Sequence, residues 1–163
     1  MAFTAATIPA FRVAKTTSGN APQAGHYTVA AGATFKRGDP VALNATDDQI
    51  TGLVDAATAM LGIAGDDAVP TDGRATNIGL KILVYEASPD TIFSANYVSG
   101  ITADIAVGDG IGINLTTTVY TVDIAKADLF VTRGLDATDG GQRVLVSVLP
   151  AGNQSAGGSA LAA

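Results

Sequence analysis

From Ile78 to Glu86 the chain alternates without interruption: Ile78, Leu80, Ile82 and Val84 take every second position, with Gly79, Lys81, Leu83 and Tyr85 between them. A period of two is the mark of a strand, because successive side chains leave opposite faces of a sheet. The run predicts a central strand. Val144, Val146 and Val148 alternate with Leu145 and Ser147 in the same way. Pro150, with no amide hydrogen to give to a ladder, predicts where that strand ends. Elsewhere Thr, Val, Ile and aromatic residues recur in short runs broken by Gly, Asp and Asn, the pattern of many strands joined by tight turns. Asp55 to Met60, short and Ala-rich, is the one stretch that predicts a helical turn. Glu86 is the only Glu among 15 acidic residues. Asp favours turns and Glu favours helices, so the acid itself points to loops between strands. The expected fold is all-β, a compact β-barrel or β-sandwich with at most one short helix.

A degenerate internal repeat emerges when Phe35-Lys36-Arg37-Gly38-Asp39-Pro40-Val41-Ala42-Leu43-Asn44 is set beside Ile105-Ala106-Val107-Gly108-Asp109-Gly110-Ile111-Gly112-Ile113-Asn114. Apolar, Gly-Asp and Asn positions coincide at a constant offset. In each copy a Gly-Asp turn leads into an alternating strand, and a return strand begins near Ile50 or Tyr120. A weaker echo pairs Leu61-Gly62-Ile63 with Arg133-Gly134-Leu135. The expected organisation is therefore residues 26–150 as one β domain holding two related units, 35–64 and 105–135, with shared turn chemistry as the simpler alternative.

The ends differ from this body. Residues 1–25 carry apolar Phe3, Ile8, Pro9, Phe11 and Val13 ahead of a polar stretch from Thr16 to Gly25. They predict an extended N-terminal arm and linker, or else an edge strand of the same domain. Residues 151–163 are low in complexity and predict a flexible tail.

Nothing in the chain assembles a familiar reactive site, and no catalytic residue, metal or cofactor is expected. Cysteine is absent, which removes disulfides, thiolate metal sites and cysteine nucleophiles. The one histidine, His26, precedes a Tyr27-Thr28-Val29 strand, with no partner suggested by the sequence. No serine is framed as G-x-S-x-G. Asp47-Asp48 and Asp66-Asp67 are neighbours that a strand would turn to opposite faces, so they read as turn residues. Asp136 to Gly141 is rich in oxygen ligands but lacks the twelve-residue calcium loop and its closing Glu, and reads as a hairpin turn. Gly108-Asp109-Gly110-Ile111-Gly112 has neither dinucleotide nor P-loop spacing, and its Asp would repel a phosphate. A net charge of -6 argues against binding nucleic acid directly, which draws on Lys and Arg. Apolar runs fall far short of the roughly 20 residues of a membrane span. Met1 to Ala5 lacks the basic region of an export signal, so synthesis in a cytoplasm is expected. The N-x-[ST] matches at Asn44, Asn114 and Asn153 are then turn or tail residues.

Charged residues are 15% of the chain and hydrophobic ones 47%, so much of the surface is neutral or apolar and suited to lie against a partner. Three stretches, Gly38-Asp39-Pro40-Val41-Ala42-Leu43, Gln49-Ile50-Thr51-Gly52 and Leu61-Gly62-Ile63-Ala64, resemble the G-D-x-V strand, return strand and G-[IV]-A step of the cement, or decoration, proteins of tailed-phage capsids. Pro89-Asp90-Thr91-Ile92-Phe93-Ser94-Ala95 and Arg143-Val144-Leu145-Val146 resemble other stretches of those proteins. The resemblance covers most of residues 25–150. It implies a β-tulip-like domain that joins the outer capsid surface after the shell expands. It also implies binding to the major capsid protein as a homotrimer and support of the shell against internal DNA pressure. An N-terminal arm adding a strand to a neighbour fits that role, with Phe3, Ile8, Pro9, Phe11, Arg12 and Val13 as expected partner contacts. The alternatives are another virion β module, a carbohydrate-binding or host-attachment module exposing Tyr97 or Tyr120, and an enzyme built around His26.

Overall fold

A computed structural model of the chain describes residues 10–44, 48–68, 79–98, 105–136 and 143–154. Eleven strands make up two antiparallel sheets. They are β1 (Phe11–Thr16), β2 (Ala24–Thr28), β3 (Pro40–Leu43), β4 (Ile50–Gly52), β5 (Gly62–Ala64), β6 (Lys81–Glu86), β7 (Thr91–Asn96), β8 (Gly110–Thr116), β9 (Val119–Asp123), β10 (Phe130–Asp136) and β11 (Arg143–Val148). One sheet runs β1-β7-β11-β10-β8-β9 and the other β2-β6-β5-β3-β4. They do not close into a barrel. The arrangement is a β-sandwich, and the described residues contain no α-helix, only a 3-10 turn at Pro150–Gly152.

The alternating runs are where their patterns require. β6 lies between β2 and β5, and β11 between β7 and β10. Phe11, Phe93, Phe130, Ile111, Val144 and Val146 of the six-stranded sheet pack against Ile63, Met60 and Leu53 to form the core between the sheets. Phe11 and Phe130 meet with ring centroids 5.7 Å apart. A second cluster of Val41, Leu61, Ile82 and Val84 with Val29 and Phe35 covers the other face of the five-stranded sheet. Tyr85 packs against the core between the sheets while Ile82 and Val84 belong to the second cluster, so β6 carries apolar contacts on both faces.

The hydrogen bonds repeat along the chain. Asp39 Oδ2 accepts from the Lys36 amide (2.9 Å) and Asp109 Oδ2 from the Ala106 amide (2.8 Å). Gly38 and Gly108 take φ of 88° and 96°, a left-handed conformation open to glycine at little cost. The Gly38 amide donates to Ala64 O (2.8 Å) and the Gly108 amide to Thr132 O (2.9 Å). The Leu61 amide donates to Val41 O (2.8 Å), and the Leu129 amide to Ile111 O (3.1 Å). Each Gly-Asp turn thus launches the middle strand of a triplet, β4-β3-β5 or β9-β8-β10. Continuing outward, β6 then β2 flank the first triplet as β11 then β7 flank the second. These bonds put Leu129, not Arg133, where Leu61 stands. The Leu61/Arg133 echo is therefore four residues out of register with the hydrogen-bonded equivalence.

Three local expectations are corrected. Asp55 to Met60 forms no helical turn. The Asp55 carboxylate holds the Leu115 amide (2.9 Å) and Lys126 Nζ (2.7 Å), the Ala56 amide bonds Ile113 O (3.0 Å), and Ala56 takes a φ of 56°. Residues 11–16 are not part of a detached arm but strand β1, paired with β7. With Phe11 buried in the core, the stretch is the edge strand that stood as the alternative to an arm. Residues 151–154 are not loose tail, since Asn153 and Gln154 are buried. The Asn153 amide group donates to Ala87 O, and the Gln154 amide brackets Leu43 through its N (2.7 Å) and O (3.2 Å). Phe3, Ile8, Pro9 and residues 155–163 lie outside the described residues.

Candidate functional site

A groove of about 600 Å³ lies where the edge strand β1 runs past the five-stranded sheet. One wall is β1 itself, a second is the turn through Gly19, Asn20 and Pro22, and the floor is Ile63, Ala64 and Tyr85. Arg12, Lys15 and Arg37 also line it, and no Asp or Glu among the described residues does. Lys15 and Arg37 are exposed and make no ion pair among the described residues, whereas Arg12 Nη2 meets Asp136 Oδ2 at 3.1 Å. In a chain of net charge -6 this is a local reversal of sign.

A buried polar network fastens β1 in place. Arg143, only 1% exposed, donates from Nε to Ser94 Oγ (2.8 Å) and from Nη1 to Asn96 Oδ1 (2.8 Å). Its Nη2 donates to Ser94 O (2.7 Å) and reaches Ala10 O (3.2 Å), just before β1. Ser94 Oγ in turn donates to Asp136 Oδ2 (2.5 Å), the oxygen that also accepts from Arg12. Fork-shaped guanidinium donors suit this convergence of strands better than a point charge would. The sequence offered two hints, a lone Arg heading a Val run and a lone Ser within Phe93-Ser94-Ala95, and neither signals a network without the register that aligns them.

The loop after β1 is tied down by Asp90, whose carboxylate accepts from the Ser18 amide (2.8 Å), Ser18 Oγ (2.6 Å) and Thr17 Oγ1. The hydroxyls of Ser18 and Thr17 hold the Asp90 carboxyl below its usual range. A carboxylate with a lowered folded pKa stabilises the fold above its ordinary value and loses that contribution as pH falls below it. Protection of the Ser18 amide, taken relative to its intrinsic exchange rate at each pH, is therefore expected to fall on acidification below about pH 3.8, the unshifted value. An Asp90→Ala protein, which lacks the acceptor, is expected to show low protection of the Ser18 amide at neutral pH as well. Unchanged exchange in that protein would show that the loop is held by other means.

Glu86, the single Glu, is 6% exposed and accepts from Tyr27 Oη (2.5 Å) and Gln23 Nε2 (2.6 Å). Burial, then the hydrogen bond to Glu86 and its charge, push the Tyr27 phenol up to about 12. Gly25 is needed beside it, because a Cβ there would lie 2.8 Å from Glu86 Oε1. Tyr27→Phe removes one of two side-chain donors to a buried carboxylate and is expected to cost about 1–2 kcal/mol in urea unfolding at neutral pH. A loss below a few tenths would mean that Glu86 is satisfied without Tyr27.

The other sequence candidates are dispersed. Phe11, Arg12 and Val13 do come together, on β1 at the groove. His26 is exposed on β2, and its side chain has no hydrogen bond or ion pair among the described residues, so no described carboxylate shares a pocket with it. Tyr120 is buried and donates to Leu53 O (2.6 Å), and Tyr97 packs against the core, so neither is an open platform for a sugar. Asp67 caps the Arg37 amide at 2.8 Å. Asp136 belongs to the arginine network, and residues 137–142 and Asp47 lie outside the described residues. Among the described residues, no three potential ligands converge on a metal position. Comparison with known proteins gave no match: no family model, no curated protein and no solved structure is significantly similar to the chain.

Proposed function

We propose that the protein is a structural decoration protein, which binds the outer surface of an expanded icosahedral phage head through the major capsid protein and stiffens the shell against the pressure of packaged DNA. The observation that supports this reading is the position of the three motif stretches on which the resemblance rests. Gly38 to Leu43 is the turn and strand β3, Gln49 to Gly52 is β4 with its approach, and Leu61 to Ala64 is β5 with the residue before it, hydrogen-bonded neighbours in the order β5-β3-β4. Short motifs of common residues gain weight when they form one contiguous unit, because chance matches need not be adjacent in space. Physical reasoning supports the same role. A small module that binds weakly at many equivalent shell positions sums to a large resistance, and three-fold closure lets one patch serve three contacts.

Two expectations follow for the isolated protein. It sediments as a monomer or trimer rather than as an open polymer, and it pellets with expanded heads but not with unexpanded precursors. Failure to pellet with expanded heads at large protein excess would overturn the proposal. The arm hypothesis is now restricted to residues 1–9. Removing residues 1–13 would take Phe11 out of the core and half of β1 with it, so the truncation that isolates attachment from folding ends at Pro9.

A further inference from the structure

We propose that the groove beside β1 receives an extended acidic segment of a partner chain, which adds to β1 as a seventh strand of the six-stranded sheet. The backbone carries the first part of the argument. The Asn96 amide donates to Ala10 O (3.1 Å), which makes that pair a hydrogen-bonded one. Pairs alternate along an antiparallel ladder, so Arg12 faces its partner Ser94 with its main-chain groups, while those of Phe11 and Val13 point away from β7. The Phe11 amide is taken by Gly38 O (3.0 Å). Both main-chain groups of Val13 and the carbonyl of Phe11 have no partner among the described residues, and they face the groove. An open edge of this kind is a template for an incoming strand.

The walls specify what that strand carries. Val13, Ile63 and Tyr85 offer apolar contact for every second side chain, and Lys15 and Arg37 offer unpaired positive charge. Three of the chain's nine basic residues line the groove, and none of the acidic residues among the described ones does. On a body of net charge -6, such a patch draws an acidic partner and is mismatched to most of a second copy's surface. Residues 1–9 and 155–163 contain no acidic side chain, so charge complementarity does not favour filling the groove with the chain's own ends. A small anion would meet Lys15 and Arg37 but leave the Val13 carbonyl unpaired and the apolar wall wet. A peptide strand satisfies all three. The inference does not rest on the capsid reading, since it concerns the chemistry of the segment and not the partner that bears it.

The test is a selection of random dodecapeptides on the full-length protein and on two variants. Val13→Pro removes an amide that points away from β7, and so closes the edge while sparing the β1–β7 ladder. Lys15→Glu/Arg37→Glu reverses the charge at exposed positions. Circular dichroism and the melting temperature establish that both variants are folded. The wild type is expected to enrich peptides with acidic residues alternating with apolar ones, and bound peptide is expected to slow amide exchange at Val13. Both variants are expected to bind the selected peptides at least about tenfold more weakly. Enriched peptides without acidic residues, equal binding to wild type and variants, or no enrichment at all would each overturn the proposal. So would full competition by inorganic phosphate without protection of Val13, which would reduce the groove to an anion site, or a wild-type dimer abolished by Val13→Pro, which would put a second copy there.

Discussion

Replacing Arg143 with alanine is expected to lower the free energy of unfolding by about 3–5 kcal/mol, the loss typical of breaking a buried charged network from one side. Arg143 satisfies the carbonyls of Ala10 and Ser94, the side-chain oxygen of Asn96 and the Ser94 hydroxyl, in a place where water cannot take over. Without it these acceptors lose donors in a medium of low dielectric, and the Ser94–Asp136–Arg12 chain loses its anchor. Arg143→Lys keeps the charge but not the planar fork, and is expected to recover less than half of the loss. Because Arg143 holds the chain at Ala10, amide exchange in β1 is expected to rise more than exchange in β3–β5. Urea unfolding and residue-resolved exchange check both statements. A loss under about 1 kcal/mol would mean that the network is not what fastens β1 to β7.

Gly62→Ala is expected to cost about 3 kcal/mol, the upper end for overpacking, because the obstruction is backbone rather than a side chain that can swing aside. A Cβ at Gly62 would collide with the Tyr85 carbonyl oxygen and lie 2.8 Å from Tyr85 C and 2.9 Å from Glu86 Cα. Gly62 pairs with Glu86 on β6 and with Val41 on β3, so the strain falls on the middle of the five-stranded sheet. This gives the glycine of the Leu61-Gly62-Ile63-Ala64 motif a physical reason: two backbones approach too closely there for any side chain. As a control, Gly32→Ala meets nothing within 4 Å and bears only the strain of its φ of 77°, so it is expected to cost about 1 kcal/mol. Equal losses at the two positions in thermal or urea unfolding would remove the close-approach explanation.

The all-β class was legible in the sequence because its signals are local. Period-two alternation in β6 and β11, and the paired Gly-Asp turns before β3 and β8, each follow from a few consecutive residues and survive folding unchanged. What was not legible depends on contacts distant in sequence. Asp55 to Met60 reads as a helical turn until Leu115, Lys126 and Ile113 hold it in another shape. Asn153 and Gln154 read as tail until Ala87 and Leu43 supply partners. The choice between an arm and an edge strand for residues 11–16 turns on Phe11, whose value lies in contacts with β10 and β7 rather than in its neighbours. The groove was half legible. Phe11, Arg12 and Val13 stood out as partner contacts, but Lys15, Arg37 and Tyr85 join them only through the packing of β1 against the second sheet. Arg143 and Glu86 were visible as residues and silent as sites, since a single charged residue in a strand announces nothing until burial surrounds it.

The capsid role is tested most directly by cryo-electron microscopy of expanded heads incubated with the purified chain. Added density is expected at the local three-fold positions of the outer surface, into which three copies of the two-sheet body fit, with each copy touching the major capsid protein. Bare three-fold positions, or density confined to the tail or to the inner surface of the shell, would contradict it.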